Sequence, residues 1–169
     1  MEFHNCILVW WATVRKEMRT NKKGIEIVKH FEGFRSRPYR CSAGIPTIGW
    51  GSCYRTDGTR VAMDDPQVSK DEAEELLVFG LRTAEKAVAR LVGVPLTANA
   101  FSSLCSFTFN VGSSRLRSST LRSRLNRKDY YKASLEFPKW RRGGGVILPG
   151  LVRRRVAERE LFLLPDDPT

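Results

Sequence analysis

Between Thr20 and Phe34 the apolar positions Ile25, Ile27, Val28 and Phe31 fall on one face of a helical period. Thr20 or Asn21 can cap such a helix, and Gly33 offers a stop near its end. From Tyr39 to Met63 the pattern changes. Gly44, Gly49, Gly51 and the pair Asp57-Gly58 punctuate short segments carrying Tyr39, Ile45, Ile48, Trp50, Tyr54 and Val61. That pattern predicts a small antiparallel sheet of two or three strands.

Ser69-Lys70-Asp71-Glu72 is a capping box that opens a long helix to about Val92, with apolar positions along much of its length. Pro95 closes that segment. The remainder reads as helical, over 98–111, 119–126, 129–137 and, after a break at Pro149, 150–164. The expected class is α+β and mainly α. A small helix-plus-sheet lobe (about 36–66) is joined by one long helix (about 70–92) to an all-helical lobe (about 96–164), with a cleft between them. Residues 1–17 are expected to be an N-terminal extension of a catalytic domain over 18–169, with Met18 as an alternative start.

Composition changes this picture in one respect. The apolar share of 41% and charged share of 28% are ordinary for a soluble globular chain, but the net charge is +11. Nearly all of the excess lies in residues 113–160, which hold 14 Lys/Arg against 4 Asp/Glu. Such a block attracts polyanions: nucleic acid, acidic lipid or an anionic cell-wall polymer. The four cysteines, Cys6, Cys41, Cys53 and Cys105, are scattered, and Cys41 and Cys53 flank the predicted hairpin, where a disulfide between them is one possibility. With two histidines and no CxxC, no metal site and no cofactor are expected. The apolar run Cys6–Val14 is too short to span a bilayer, and Arg15 and Lys16 follow it, the reverse of a secretory signal.

The chemistry concentrates between Glu32 and Thr47. Eight residues separate Glu32 from Cys41 and five separate Cys41 from Thr47, so a carboxyl, a thiol and a hydroxyl can surround one cleft. Glycosidic bond hydrolysis needs an acid for the leaving oxygen and a second group that activates water or attacks the sugar. Glu32 suits the first role, because the negative end of the helix dipole and the flanking Phe31 and Phe34 favour a protonated carboxyl, with Arg35 and Arg37 opposing if they approach.

The segment from Gly24 to Phe34, continued by Thr47-Ile48-Gly49-Trp50-Gly51, strongly resembles the phage-type lysozymes of glycoside hydrolase family 24. Downstream, Phe107-Thr108-Phe109-Asn110-Val111-Gly112, Trp140 and the run from Pro149 to Glu158 follow in the family's order, so the resemblance covers about residues 20–164. It implies a lysozyme-like two-lobed fold and the catalytic set Glu32, Cys41 and Thr47, with Asn110 as a substrate-binding position; Trp140, beside Arg141 and Arg142, reads either as a substrate-binding ring at the cleft rim or as core. The implied activity is cleavage of the β-1,4 bond between N-acetylmuramic acid and N-acetylglucosamine in bacterial peptidoglycan, with inversion. The implied setting is a monomer held in the host bacterial cytoplasm until it reaches the wall, its basic residues 113–160 drawn to the anionic envelope and with no nucleic-acid partner.

Two positions depart from the commonest pattern. Cys41 stands where the best-known members carry Asp, and as a base its thiol needs a lowered pKa, toward which Arg40 is a candidate contributor. Ser52 stands where the family usually has His. A wall-binding relative without activity and a basic nucleic-acid-binding protein are the alternative readings, separated from the enzyme by lysis of purified cell walls.

Overall fold

The computed structural model describes residues 14–41 and 43–166, so the apolar run beginning at Cys6 lies outside the described residues as far as residue 13. The chain is mainly helical and divides into two compact units, Val28–Arg82 and the remainder, with the divisions falling inside two helices.

Helix α1, Lys22–Glu32, is capped by Asn21, whose Oδ1 accepts from the Gly24 N–H at 3.0 Å. It ends two residues before the expected Phe34. Gly33 takes a left-handed φ of +71°, closes the last turn by donating to the Lys29 carbonyl at 3.2 Å, and turns the chain into a strand. Strand β1, Arg35–Arg40, pairs antiparallel with β2, Pro46–Gly49. The sheet therefore begins earlier than Tyr39, at residues whose polar character hides them from an alternation test. Isolated bridges Ile48↔Ser52 and Tyr54↔Arg60 continue the pairing beyond β2.

Helix α2, Lys70–Leu91, opens on the expected capping box: the Ser69 N–H donates to Glu72 Oε2 at 2.7 Å, and the Glu72 N–H donates to Ser69 Oγ at 3.2 Å. At the end of β2, Gly49 approaches this helix so closely that a Cβ there would stand 2.8 Å from the Ala73 Cβ. Val28, Ile48, Trp50, Leu77 and Leu81 are among the buried apolar residues of this unit.

The other unit holds α3 (Ala98–Val111), α4 (Ser113–Ser118), α5 (Thr120–Asn126), α6 (Tyr130–Ser134), the 3₁₀ turn Phe137–Lys139, the hairpin β3–β4 (Arg142–Gly143, Val146–Ile147) and α7 (Pro149–Leu163). Thr97, Ser119 and Asp129 cap α3, α5 and α6. The expectation that everything after Pro95 is helical is corrected at the hairpin. Its strands are two residues each, too short for periodicity to register. Pro149 starts α7 at its first turn, where the missing N–H costs nothing. Phe101, Leu104, Phe107, Leu121, Leu125 and Phe137 lie in the core of this unit.

Inside it, α7 turns charge inward. Glu158 accepts from Ser106 Oγ at 2.9 Å and from Arg154 Nε at 3.1 Å, and Arg155 Nε lies 3.1 Å from its other oxygen. Arg155 also lies over the Phe107 ring, 4.9 Å from its centroid, and burial lowers its pKa to about 10. Burial pushes the Glu158 carboxyl upward against the pull of both guanidiniums. With Arg154 only 3% exposed and Arg155 fully enclosed, two charges of the basic block do not reach the surface.

Candidate active site

Glu32 is the last residue of α1 and half-buried. Gly51, at φ +86°, lies beside it: a Cβ there would stand 3.5 Å from Glu32 Oε2. The absence of a side chain at this turn leaves the space next to the carboxylate open.

Cys41 follows directly on β1, in a tight turn. Its N–H donates to the Ile45 carbonyl at 3.0 Å, and its own carbonyl accepts from the Gly44 N–H at 2.8 Å. The backbone N–H groups of Ala43 and then Ile45 stabilise the thiolate, and with help from the Thr47 hydroxyl they hold the Cys41 pKa below its ordinary value of 9.0. Arg40 is not among the main causes. Its guanidinium donates to the Gly44 carbonyl at 2.8 Å and so braces the turn.

Thr47 is buried on β2, where Oγ1 donates to the Ile45 carbonyl at 2.9 Å and lies 3.7 Å from Cys53 Sγ. Its pairing partner across the sheet is Tyr39. Burial raises the Tyr39 pKa, Arg35 opposes the rise, and the charges of Glu32, Cys41 and Cys53 add to it. One phenol therefore feels the carboxyl and both thiols, and Glu32, Cys41 and Thr47 are gathered within a single unit.

Tyr39 and Cys53 are the two residues at this site to which sequence reasoning assigned no role. The signal for Tyr39 is its place two residues before Cys41, on the strand that leads into the Cys41 turn. Its ring carries the Arg35 guanidinium 4.4 Å from the centroid. Cys53 entered only as a possible disulfide partner of Cys41, and both are free thiols. Cys105 is fully buried, and burial raises its pKa. Trp50 is buried as core, with the Phe34 ring 5.2 Å away and Lys29 Nζ 4.6 Å above it. Ser52 is buried in the bridge to Ile48.

Asn110 and Trp140 belong to the other unit. Asn110 is exposed near the end of α3, where its Oδ1 accepts from Arg155 Nη2 at 2.8 Å, so the buried charge network orients this amide. Trp140 is half-buried with its ring edge-on to Phe107, centroids 5.3 Å apart.

Residues 29–158 match the family model described as phage lysozyme. The endolysin of Salmonella phage P22 is 39% identical over 149 residues, covering 86% of this chain and 99% of its own length. The endolysin of Acyrthosiphon pisum secondary endosymbiont phage 1 is 35% identical over 149 residues, covering 86% and 98%. Among solved structures, the muramidase domain of SpmX from Asticaccaulis excentricus superposes with a TM-score of 0.78 at 33% identity, covering 88% of this chain and 99% of that one.

Proposed function

The chain belongs to the phage lysozyme family, and we propose that it cuts peptidoglycan with Glu32 as the acid and Cys41 with Thr47 as the pair that holds and activates water. Its function is that of a lysozyme, a peptidoglycan hydrolase. Glu32 donates its proton to the glycosidic oxygen between N-acetylmuramic acid and N-acetylglucosamine as the bond breaks. A water on the opposite face of the ring loses its proton to Cys41 and adds to the anomeric carbon, which inverts the configuration.

The observation that carries this reading is the Cys41 turn. Backbone N–H groups of Ala43 and Ile45 favour the thiolate, so the sulfur can act as a base closer to neutral pH than an ordinary thiol. The Thr47 hydroxyl beside it offers a second anchor for that water.

Asn110 and Trp140 bind the glycan strand, through an amide held in place by Arg155 and an aromatic ring held against Phe107. The enzyme acts as a monomer. It is held in the host bacterial cytoplasm until its release to the wall. Among the described residues no helix is long and apolar enough to cross a membrane. The exposed part of the basic region 113–160 draws it to the anionic envelope.

The test is turbidity loss of purified cell walls. Glu32→Gln is expected to remove nearly all hydrolysis while its circular dichroism spectrum stays that of the parent, and full activity would overturn the assignment. The anomer first released, followed by NMR, is expected to be the inverted one.

A further inference from the structure

The hairpin β3–β4 exposes three consecutive branched aliphatic side chains, Val146 at 60%, Ile147 at 46% and Leu148 at 40%. Alternation puts Val146 and Leu148 on one face of the ribbon and Ile147 on the other. No rotation of the ribbon could bury all three against the protein. Val146 is paired across the strands with Gly143, which has no side chain to cover it, and Leu148 leans over that same glycine, where a Cβ would stand 2.7 Å from Leu148 Cδ1. The turn itself is Gly144-Gly145, both at positive φ (+57° and +84°), the geometry of a tight, narrow hairpin end.

Charge flanks this tip along the chain. Arg141 and Arg142 are exposed at its base, and Arg153 is exposed on α7. Arg142 folds back over the turn, its Nη1 donating to the Gly145 carbonyl at 2.7 Å, so a guanidinium is held beside the aliphatic end. Contiguous exposed apolar side chains with a cationic rim mark an interaction surface. Branched aliphatics offer a sugar neither an aromatic face nor a hydrogen bond. They suit the acyl boundary of a bilayer, while arginines suit its phosphates.

We propose that the β3–β4 hairpin is a lipid-docking tip that seats Val146, Ile147 and Leu148 in an anionic phospholipid leaflet while Arg141 and Arg142 engage the headgroup phosphates. The proposal deepens, and rests on, the reading that the basic region meets the anionic envelope. It narrows that region to one element and adds an apolar anchor, which charge alone does not supply. Binding then has two parts: an electrostatic one that salt removes and an aliphatic one that salt leaves in place.

The experiment is sedimentation of the full chain with phosphatidylglycerol vesicles and with phosphatidylcholine vesicles, at low and high salt, beside hydrolysis of lipid-free peptidoglycan sacculi. The parent is expected to bind phosphatidylglycerol at low salt, to keep a measurable fraction bound at high salt, and to bind phosphatidylcholine weakly. The double variant V146S/I147S is expected to lose about tenfold in partition and its salt-resistant fraction, because two aliphatic side chains no longer leave water. Arg141→Gln is expected to weaken low-salt binding only. V146S/I147S should digest sacculi at the parent's rate. Equal vesicle binding by V146S/I147S and the parent would overturn the proposal, as would a loss confined to sacculus digestion, which would make the tip a glycan contact. A parent that fails to digest sacculi removes the hydrolase reading instead, a result legible apart from the vesicle data.

Discussion

The hydroxyl of Thr47 lies 3.7 Å from the sulfur of Cys53, while its proton goes to the Ile45 carbonyl at 2.9 Å. The same hydroxyl contributes to holding the Cys41 pKa below its ordinary value. When Cys41 ionises, the proton has a reason to turn toward it. Thr47→Val keeps the shape and removes the proton. It is expected to lower kcat about 10²-fold, the size of a lost acid–base partner, while stability falls by only about 1 kcal/mol. Thr47→Ser should restore most of the rate. Turnover of walls by Thr47→Val at the parent's rate would remove Thr47 from the site.

Cys41 should behave as a thiol whose pKa is set by its turn. Because the folded state favours the thiolate, its alkylation by iodoacetamide, read by peptide mapping, should reach half its plateau below pH 9.0. The stability this ionisation contributes is present above the unfolded pKa and is lost as pH falls through the folded one. If Cys41 is the base, wall hydrolysis rises with pH through the same midpoint. Cys41→Ser should lose most activity, and Cys41→Asp should keep part of it, since a carboxylate is ionised across that range. Cys105, buried with its pKa raised, should stay unmodified until the chain unfolds. A half-plateau for Cys41 at or above that of free cysteine contradicts the role of Ala43 and Ile45.

Gly33 and Gly49 share a left-handed backbone but not a neighbourhood. At φ +71° a Cβ on Gly33 meets nothing within 4 Å, whereas at φ +66° a Cβ on Gly49 would press on Ala73 at 2.8 Å. Gly33→Ala should cost about 1–2 kcal/mol from backbone strain alone. Gly49→Ala should cost a further 1–3 kcal/mol or so, because β2 must move away from α2. Urea unfolding of the two variants checks the order, and equal midpoints would mean that the contact between β2 and α2 yields without strain.

What the chain order alone determined is local. Asn21 and Ser69 lie next to the helices they cap, and a cap needs partners only three residues away, so such signals survive in the sequence. The Glu32, Cys41 and Thr47 spacing was legible for the same reason: one helix end and one hairpin carry all three. Its family was readable because several such segments follow in order.

Tertiary structure decided what depends on orientation and burial. Nothing in the sequence says that Ala43 and Ile45 turn their N–H groups toward Cys41, or that Arg40 is occupied with Gly44. Tyr39 and Cys53 reached the site because pairing across β1 and β2 and the bridge beyond them set their positions. Arg154 and Arg155 read as surface charge until Glu158, three and four residues further on, closed over them inside the core. The two-residue strands at 142–147 give no periodicity to detect, yet Val146 and Ile147 on them are exposed aliphatic side chains. Spacing along a chain reports which groups can be neighbours. Desolvation and hydrogen-bond direction, which set their chemistry, come from residues that only folding brings near.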